Sequence, residues 1–286
     1  MLSDRKTNLG GLHAMQLTVL VDNTTNKQNL PGLSFYLEDN ETKLLFDFGE
    51  SSLFLENAEL MGINVFDVNY VVLSHGHHDH SWGLKHLLQK ARYRPFRHSA
   101  PILLAHPLAF HSRIKENKEL GLNIPIDNLA NYFTISKSAL PVWLTDRIVF
   151  LGQIQRQFTY EGTHSIGQIM TENGIENDFM YDDTALAYKS SQGLVIITGC
   201  SHSGISNIVE QAKFICNDDR IHTIIGGFHL RNPSYEQLSG TLDYLNKANV
   251  QSLYACHCTD LSSRIFLAQL GNLKEVTVGL TLEFPV

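Results

Sequence analysis

Six consecutive residues, His75-Gly76-His77-His78-Asp79-His80, constrain this 286-residue chain more than any other segment. They follow directly on the apolar run Tyr70-Val71-Val72-Leu73-Ser74. Such a run is expected to be extended, and a strand delivers its last side chains to the edge of a sheet. Imidazole and carboxylate groups presented together at that edge make a ligand set for zinc and related divalent transition metals. Alternate residues His75 and His77 can point to one ion, while Asp79 and His80 reach past it to a second. The competing reading, a polar turn that is histidine-rich by chance, is much the weaker for four potential ligands in six positions.

The rest of the chain supplies partners for that loop. Strand-like runs fall at 15–21, 33–38, 43–48, 69–74, 101–105, 147–151, 184–189, 193–198, 221–226, 252–255 and 276–284. Several are continuously apolar (Val195-Ile196-Ile197; Ile224-Ile225), as strands buried on both faces are. Between them lie stripes at helical spacing: Leu84, Leu87, Leu88 and Ala91; Ile205, Ile208, Val209, Ala212 and Ile215; Leu238, Leu242, Leu245 and Ala248. Each stripe is most simply core packing against a sheet. Apolar runs are followed closely by His75, His202, His229 and His257, so strands sharing sheets would gather these side chains at one edge. The expectation is an α/β fold, a four-layer αββα sandwich of two mixed β-sheets with helices on both outer faces.

Bulk properties narrow the class further. A net charge of −7 without a long basic run argues against a nucleic-acid partner. No apolar run approaches the roughly 20 residues of a membrane span. Cysteines at 200, 216, 256 and 258 do not form a disulfide framework in a chain of this size, and reduced thiols in the cytoplasm are expected. Residues 1–14 read as a flexible N-terminal extension and 15–286 as a single domain. Within it, residues 107–145 read as an insertion covering the site.

The loop at 75–80 resembles the HxHxDH signature of the metallo-β-lactamase superfamily. Leu44-Leu45-Phe46-Asp47-Phe48-Gly49 resembles the strand and Asp-containing turn that precede it there. Three further segments resemble a narrower group of small metallohydrolase-like proteins: Thr198-Gly199-Cys200-Ser201-His202-Ser203-Gly204, Gly226-Gly227-Phe228-His229-Leu230 and Cys256-His257-Cys258-Thr259. Some members of that group are labelled synthases joining a dihydropterin to a ribofuranosyl-aminobenzene phosphate. The resemblance spans about residues 15 to 286 and implies the same αββα sandwich.

From residues and resemblance together, the expected metal ligands are His75, His77, Asp79, His80, His202 and His257, holding two zinc ions, with iron or manganese as alternatives. In the superfamily a Gly-Asp pair closes one strand and its Asp bridges both metals, whereas this chain has Gly199-Cys200. Cys200 is therefore either a thiolate ligand or a small buried residue. The third superfamily motif has no obvious histidine; His164 is a candidate on order alone. Asp47 is expected to orient a first-motif histidine or backbone. His229 is open to three roles, metal ligand, proton donor and structural residue, of which a site-facing one is preferred. Arg156 is the expected anion-binding side chain, because the related group carries an Arg after a similar strand. Asp79 and His229 are the expected catalytic groups, and Arg156 and His229 the substrate-binding ones. The expected activity is metal-dependent hydrolysis of a small, anionic ester, amide, lactone or phosphoester by a metal-activated hydroxide. The alternatives are a synthase activating a pyrophosphate leaving group and a non-catalytic ligand-binding module. A redox diiron role is disfavoured, since superfamily members of that kind carry Glu where this chain has His77.

Overall fold

The computed structural model describes residues 14–23, 31–97 and 99–286. All but the last residue of the expected N-terminal extension lies outside them. The first part of the chain runs β1 (Met15–Val21), β2 (Ser34–Asp39), β3 (Thr42–Phe46), α1 (Leu53–Leu60), β4 (Tyr70–Val72), α2 (His78–Ser81), α3 (Leu84–Ala91) and β5 (Ile102–Ala105). The middle part holds β6 (Arg113–Lys115), β7 (Lys118–Glu119), α4 (Ile126–Ala130), β8 (Thr134–Lys137), β9 (Val142–Trp143), β10 (Ile148–Phe150), β11 (Gln168–Thr171) and β12 (Gly174–Asn177). The last part continues with β13 (Ala185–Ser190), β14 (Gly193–Thr198), α5 (Ile205–Cys216), β15 (Ile221–Gly227), α6 (Tyr235–Lys247), β16 (Ser252–Cys256), α7 (Leu261–Leu267) and β17 (Thr281–Phe284).

Two mixed sheets carry the fold. A seven-stranded sheet has the order β17-β1-β2-β3-β4-β5-β8, and a six-stranded sheet the order β16-β15-β14-β13-β10-β9. Apolar side chains alternate between their faces and sort into three cores. Leu17, Phe35, Leu37, Leu44, Phe46, Val72 and Leu104 meet Phe150, Leu186, Tyr188, Val195, Ile197 and Ile225 between the sheets. On the outer face of the first sheet, Leu45, Val71 and Leu103 pack against Phe54, Leu55, Leu84 and Leu87 of α1 and α3. On the outer face of the second, Ala187, Ile196 and Ile224 pack against Ile208, Val209 and Ala212 of α5 and Leu245 of α6. The layers are thus α, β, β and α, and each fully buried Leu or Val contributes about 1.5–3 kcal/mol by leaving water.

Residues 107–145 divide between two destinations. β8 and β9 complete the edges of the two large sheets, whereas β6 and β7 join β11 and β12 in a separate four-stranded sheet. That small sheet borders the cleft described below through Lys115 and Leu120. Among the described residues no helix is long and apolar enough to cross a membrane. All four cysteines are buried and unpaired.

Candidate metal centre

The two sheets position the site through strand direction. β3, β4 and β5 are mutually parallel in the first sheet, and β14, β15 and β16 are parallel in the second. Parallel strands bring their carboxyl ends to one edge, where an open α/β sheet binds ligands. Asp47 follows β3 and residues 74–80 follow β4; Cys200 and His202 follow β14, His229 follows β15 and His257 follows β16. At four of these strand ends a non-glycine residue near the site has a left-handed backbone: Asp47 (φ 58°), Ser201 (φ 57°), His229 (φ 51°) and His257 (φ 51°). Such conformations cost energy and persist where the surroundings enforce them, commonly at functional sites.

The ring nitrogens converge from both sheets. His202 Nε2 lies 3.2 Å from His75 Nε2, and His257 Nε2 lies 3.0 Å from His80 Nε2. Asp79 Oδ2 is 3.5 Å from His257 Nε2. Cys200 Sγ is 3.2 Å from His80 Nε2. Three groups have ligand atoms all within 4.8 Å of one another: His75, His77 and Asp79; His75, Cys200 and His202; and His80, Cys200 and His257. The structure therefore brings together all six residues expected as ligands, with Cys200 among them. His164 is exposed and its Nδ1 lies beside Thr163 Oγ1 at 3.1 Å, away from this cluster. The ring of His202, by contrast, lies 4.8 Å from that of His75 and 5.0 Å from that of His77.

A buried carboxylate sets the tautomers. Asp47 accepts from Ser74 N–H (2.8 Å), Ser74 Oγ–H (2.6 Å) and His80 Nδ1–H (2.7 Å). The Ser74 hydroxyl has spent its one proton on Asp47, so it accepts from His75 Nδ1–H at 2.8 Å. Both imidazoles thus turn Nε2 toward the cluster, the arrangement of a metal-binding histidine oriented by a carboxylate. Gly199 makes this packing feasible: a Cβ there would collide with Ser74 Oγ.

Adjacent aspartates secure the two ligand loops. Asp182 Oδ2 accepts from Gly76 N–H at 2.9 Å, and its other oxygen pairs with Arg113 Nη2 at 2.7 Å. Arg113, fully buried, also pairs through Nε with Asp178 Oδ2 at 2.7 Å. Asp183 Oδ2 accepts from Ser203 N–H at 2.9 Å and from the Ser203 hydroxyl, fixing the residue beside His202. Asp22 takes the third loop, accepting His257 N–H at 2.8 Å. None of Arg113, Asp178, Asp182, Asp183 or Asp22 stood out in the sequence. The Asp182-Asp183 pair ahead of a buried strand was the available signal.

The electrostatics suit a cation. Burial holds His77 down to about 3 and keeps His75 and His202 well below the ordinary imidazole range, with neighbouring imidazoles adding to the effect. For His80, burial is outweighed by the Asp47 and Asp79 carboxylates, which hold it up to about 9. Burial opposes ionisation of Asp79, but His80 and His257 hold it well below the usual carboxylate range. A proton on His80 therefore supplies positive charge at the point where a metal ion is expected. His77 Nε2 is buried without a hydrogen-bond partner. An orphaned imidazole nitrogen, paired Nε2 atoms of which those of His75 and His80 have their Nδ1 committed elsewhere, a carboxylate and a thiol fit one or two borderline-soft divalent ions.

A cleft of about 420 Å³ opens onto this cluster, within the usual range for small-molecule sites. Its walls include His77, Asp79, Cys200, His202, His229 and His257, with Lys115 and Arg231 as cations. The His229 ring lies 4.4 Å from that of His202 but outside the three ligand groups, and the backbone N–H of His229 donates to Cys258 Sγ at 3.2 Å. Although burial lowers it, the contact with Cys258 raises the His229 pKa above its ordinary value. Arg156 does not line the cleft. Its Nη1 and Nη2 donate to the carbonyls of Gly162 (2.6 Å), Phe179 and Met180 (3.2 Å), while its Nε is buried without a partner. The cations that line the cleft are Lys115 and Arg231.

Comparisons with known proteins agree with this geometry. Residues 28–177 match the family model described as the metallo-beta-lactamase superfamily. An uncharacterised protein of Methanocaldococcus jannaschii is 32% identical over 272 residues, covering 92% of this chain and 98% of that protein. A second protein of that organism is named 7,8-dihydropterin-6-methyl-4-(beta-D-ribofuranosyl)-aminobenzene-5'-phosphate synthase. It is 30% identical over 246 residues, 80% of this chain and 80% of its own. Among solved structures, Tm1679 is described as a metal-dependent hydrolase of the beta-lactamase superfamily. It has a TM-score of 0.79 at 26% identity, covering 95% of this chain and 100% of its own.

Proposed function

Because this chain belongs to the metallo-β-lactamase superfamily, we propose that it is a metal-dependent hydrolase of a small anionic ester, lactone, amide or phosphoester. The observation that carries this reading is the convergence of imidazole Nε2 atoms from two sheets on one point at the floor of an open cleft. His75, His77 and His202 would hold one zinc-class ion, and Asp79, His80 and His257 a second. When bound, such ions supply Lewis acidity and a water whose pKa is lowered to about 7.

The protein's own groups do the rest. Asp79, ionised and on the cleft wall, is the carboxylate that would orient the attacking water. His229, beside the cluster but outside the ligand groups, donates a proton to the departing group. Its main chain is held by the bond from the backbone N–H to Cys258 Sγ. Lys115 and Arg231 attract an anionic substrate to the cleft. A cytoplasmic location belongs to the same proposal, supported by four unpaired thiols.

The second reading is a synthase, favoured by the relative of that name and by cations beside a cleft suited to a diphosphate leaving group. Turnover measured on phosphodiester, lactone and thioester probes separates the two. Hydrolysis that is lost on chelation and restored by zinc supports the hydrolase. Turnover that persists in metal-free protein overturns both readings. Absence of hydrolysis with coupling of a dihydropterin diphosphate to an aminobenzene riboside phosphate selects the synthase.

A further inference from the structure

We propose that Cys200 is the bridging ligand of the centre, its thiolate sulfur shared by both metal ions. This rests on the two-ion reading above and adds to it the identity of the group between the ions. Cys200 sits immediately after β14 and Gly199, at the sheet edge where the ligand loops meet. Its Sγ belongs to the group with His75 and His202 and also to the group with His80 and His257. It is the residue common to the pair His75 and His202, assigned to one ion, and the pair His80 and His257, assigned to the other. The superfamily's bridging carboxylate stands at the matching place after the strand, and this chain has a cysteine there. The substitution thus changes the chemistry of the bridge while keeping its position.

The alternative role for Cys200 is packing. A packing cysteine would be surrounded by carbon, whereas this sulfur is 3.2 Å from His80 Nε2 and lines the cleft. The neighbouring Cys258 is a poorer ligand candidate because its sulfur is already engaged. It donates to Cys200 O at 3.3 Å and accepts from His229 N–H at 3.2 Å. Cys258 thereby anchors the backbones of Cys200 and His229. When the ions bind, the Cys200 thiol releases its proton to solvent and two sulfur–metal bonds form, with no change of oxidation state. A shared thiolate donates more charge than a carboxylate and favours zinc or iron over magnesium or manganese. The metal preference of this chain should therefore run to zinc or iron.

Zinc K-edge absorption of the wild-type protein loaded to two ions per chain reads the bridge without relying on a variant. A shared thiolate gives one sulfur neighbour per zinc at about 2.3 Å. One sulfur for every two zincs, or none, would overturn the bridge yet leave the two-ion centre standing. Failure to hold zinc at all would overturn the centre itself. Cobalt-loaded variants give an independent check through the sulfur-to-cobalt charge-transfer band in the near ultraviolet. C200S is expected to lose the band and C258S to keep it. The opposite pattern would transfer the ligand role to Cys258 and end the proposal.

Discussion

At the scale of single residues, Asp47 controls the site without lying on the cleft. Its two oxygens serve Ser74 and His80, and through the Ser74 hydroxyl they also set the orientation of His75. Asp47→Asn keeps the shape but offers one acceptor oxygen and a surplus of donors, so His80 loses the partner that fixes its tautomer. Metal affinity, measured by competition with a chromophoric chelator, is expected to fall about 10–100-fold with the fold intact. Equal affinity in the two proteins would mean that the network is incidental to metal binding. The ligands themselves were legible because HxHxDH compresses four of them into a local pattern, and His202 and His257 follow apolar runs. Asp182 and Asp183 were not, because what they recognise is backbone N–H of Gly76 and Ser203, which leaves no trace in side-chain spacing. Arg156 shows the converse. A cation in a plausible place can be engaged through Nη1 and Nη2 by carbonyl groups that only the folded chain brings near it.

At the scale of elements, α5 carries an unusual cap. Its N-terminal neighbour Gly204 supplies no side chain, and Glu161, remote in sequence, accepts from Ser206 N–H (3.3 Å) and Asn207 N–H (2.8 Å). Burial pushes the Glu161 pKa up to about 7, despite the opposing hydrogen bonds from Asn207 and Ser206. The folded protein therefore binds this proton more tightly than the unfolded chain does. Its stabilising contribution is full below the ordinary carboxylate pKa and is lost as pH rises toward 7. Chemical denaturation at pH 5 and pH 8 should show the wild type losing stability relative to Glu161→Gln by on the order of 1–3 kcal/mol. Parallel behaviour of the two proteins would remove Glu161 as the source. The apolar runs and helical stripes located the long elements, since burial on both faces imposes a pattern that side chains must follow. β7 and β12 escaped because they are short and exposed, so no buried apolar face marks them. The small sheet they help to build is also what delivers Arg113 to the interior.

At the scale of the whole molecule, the site is a seam between two sheets. Residues 74–80 come from the first, while Cys200, His202, His229 and His257 come from the second. Thr184 N–H donates to Ser74 O at 2.9 Å, and the two preceding aspartates grip one ligand loop from each side. Arg113 balances the charge of Asp178 and Asp182 at this seam. Replacing it with Met strands two buried carboxylates, and urea unfolding should show a loss of about 3–5 kcal/mol. A loss below about 1 kcal/mol would indicate that water or a neighbouring chain reaches them. The metal content of purified protein tests the central claim most directly, because both sheets must contribute for two ions to be held. Elemental analysis after dialysis is expected to give two zinc-class ions per chain in the wild type. His77→Ala on the first sheet and His257→Ala on the second should each fall to one or fewer while unfolding as cooperatively as the parent. A wild type that retains no ion, or variants from either sheet that keep the full complement, would contradict the account.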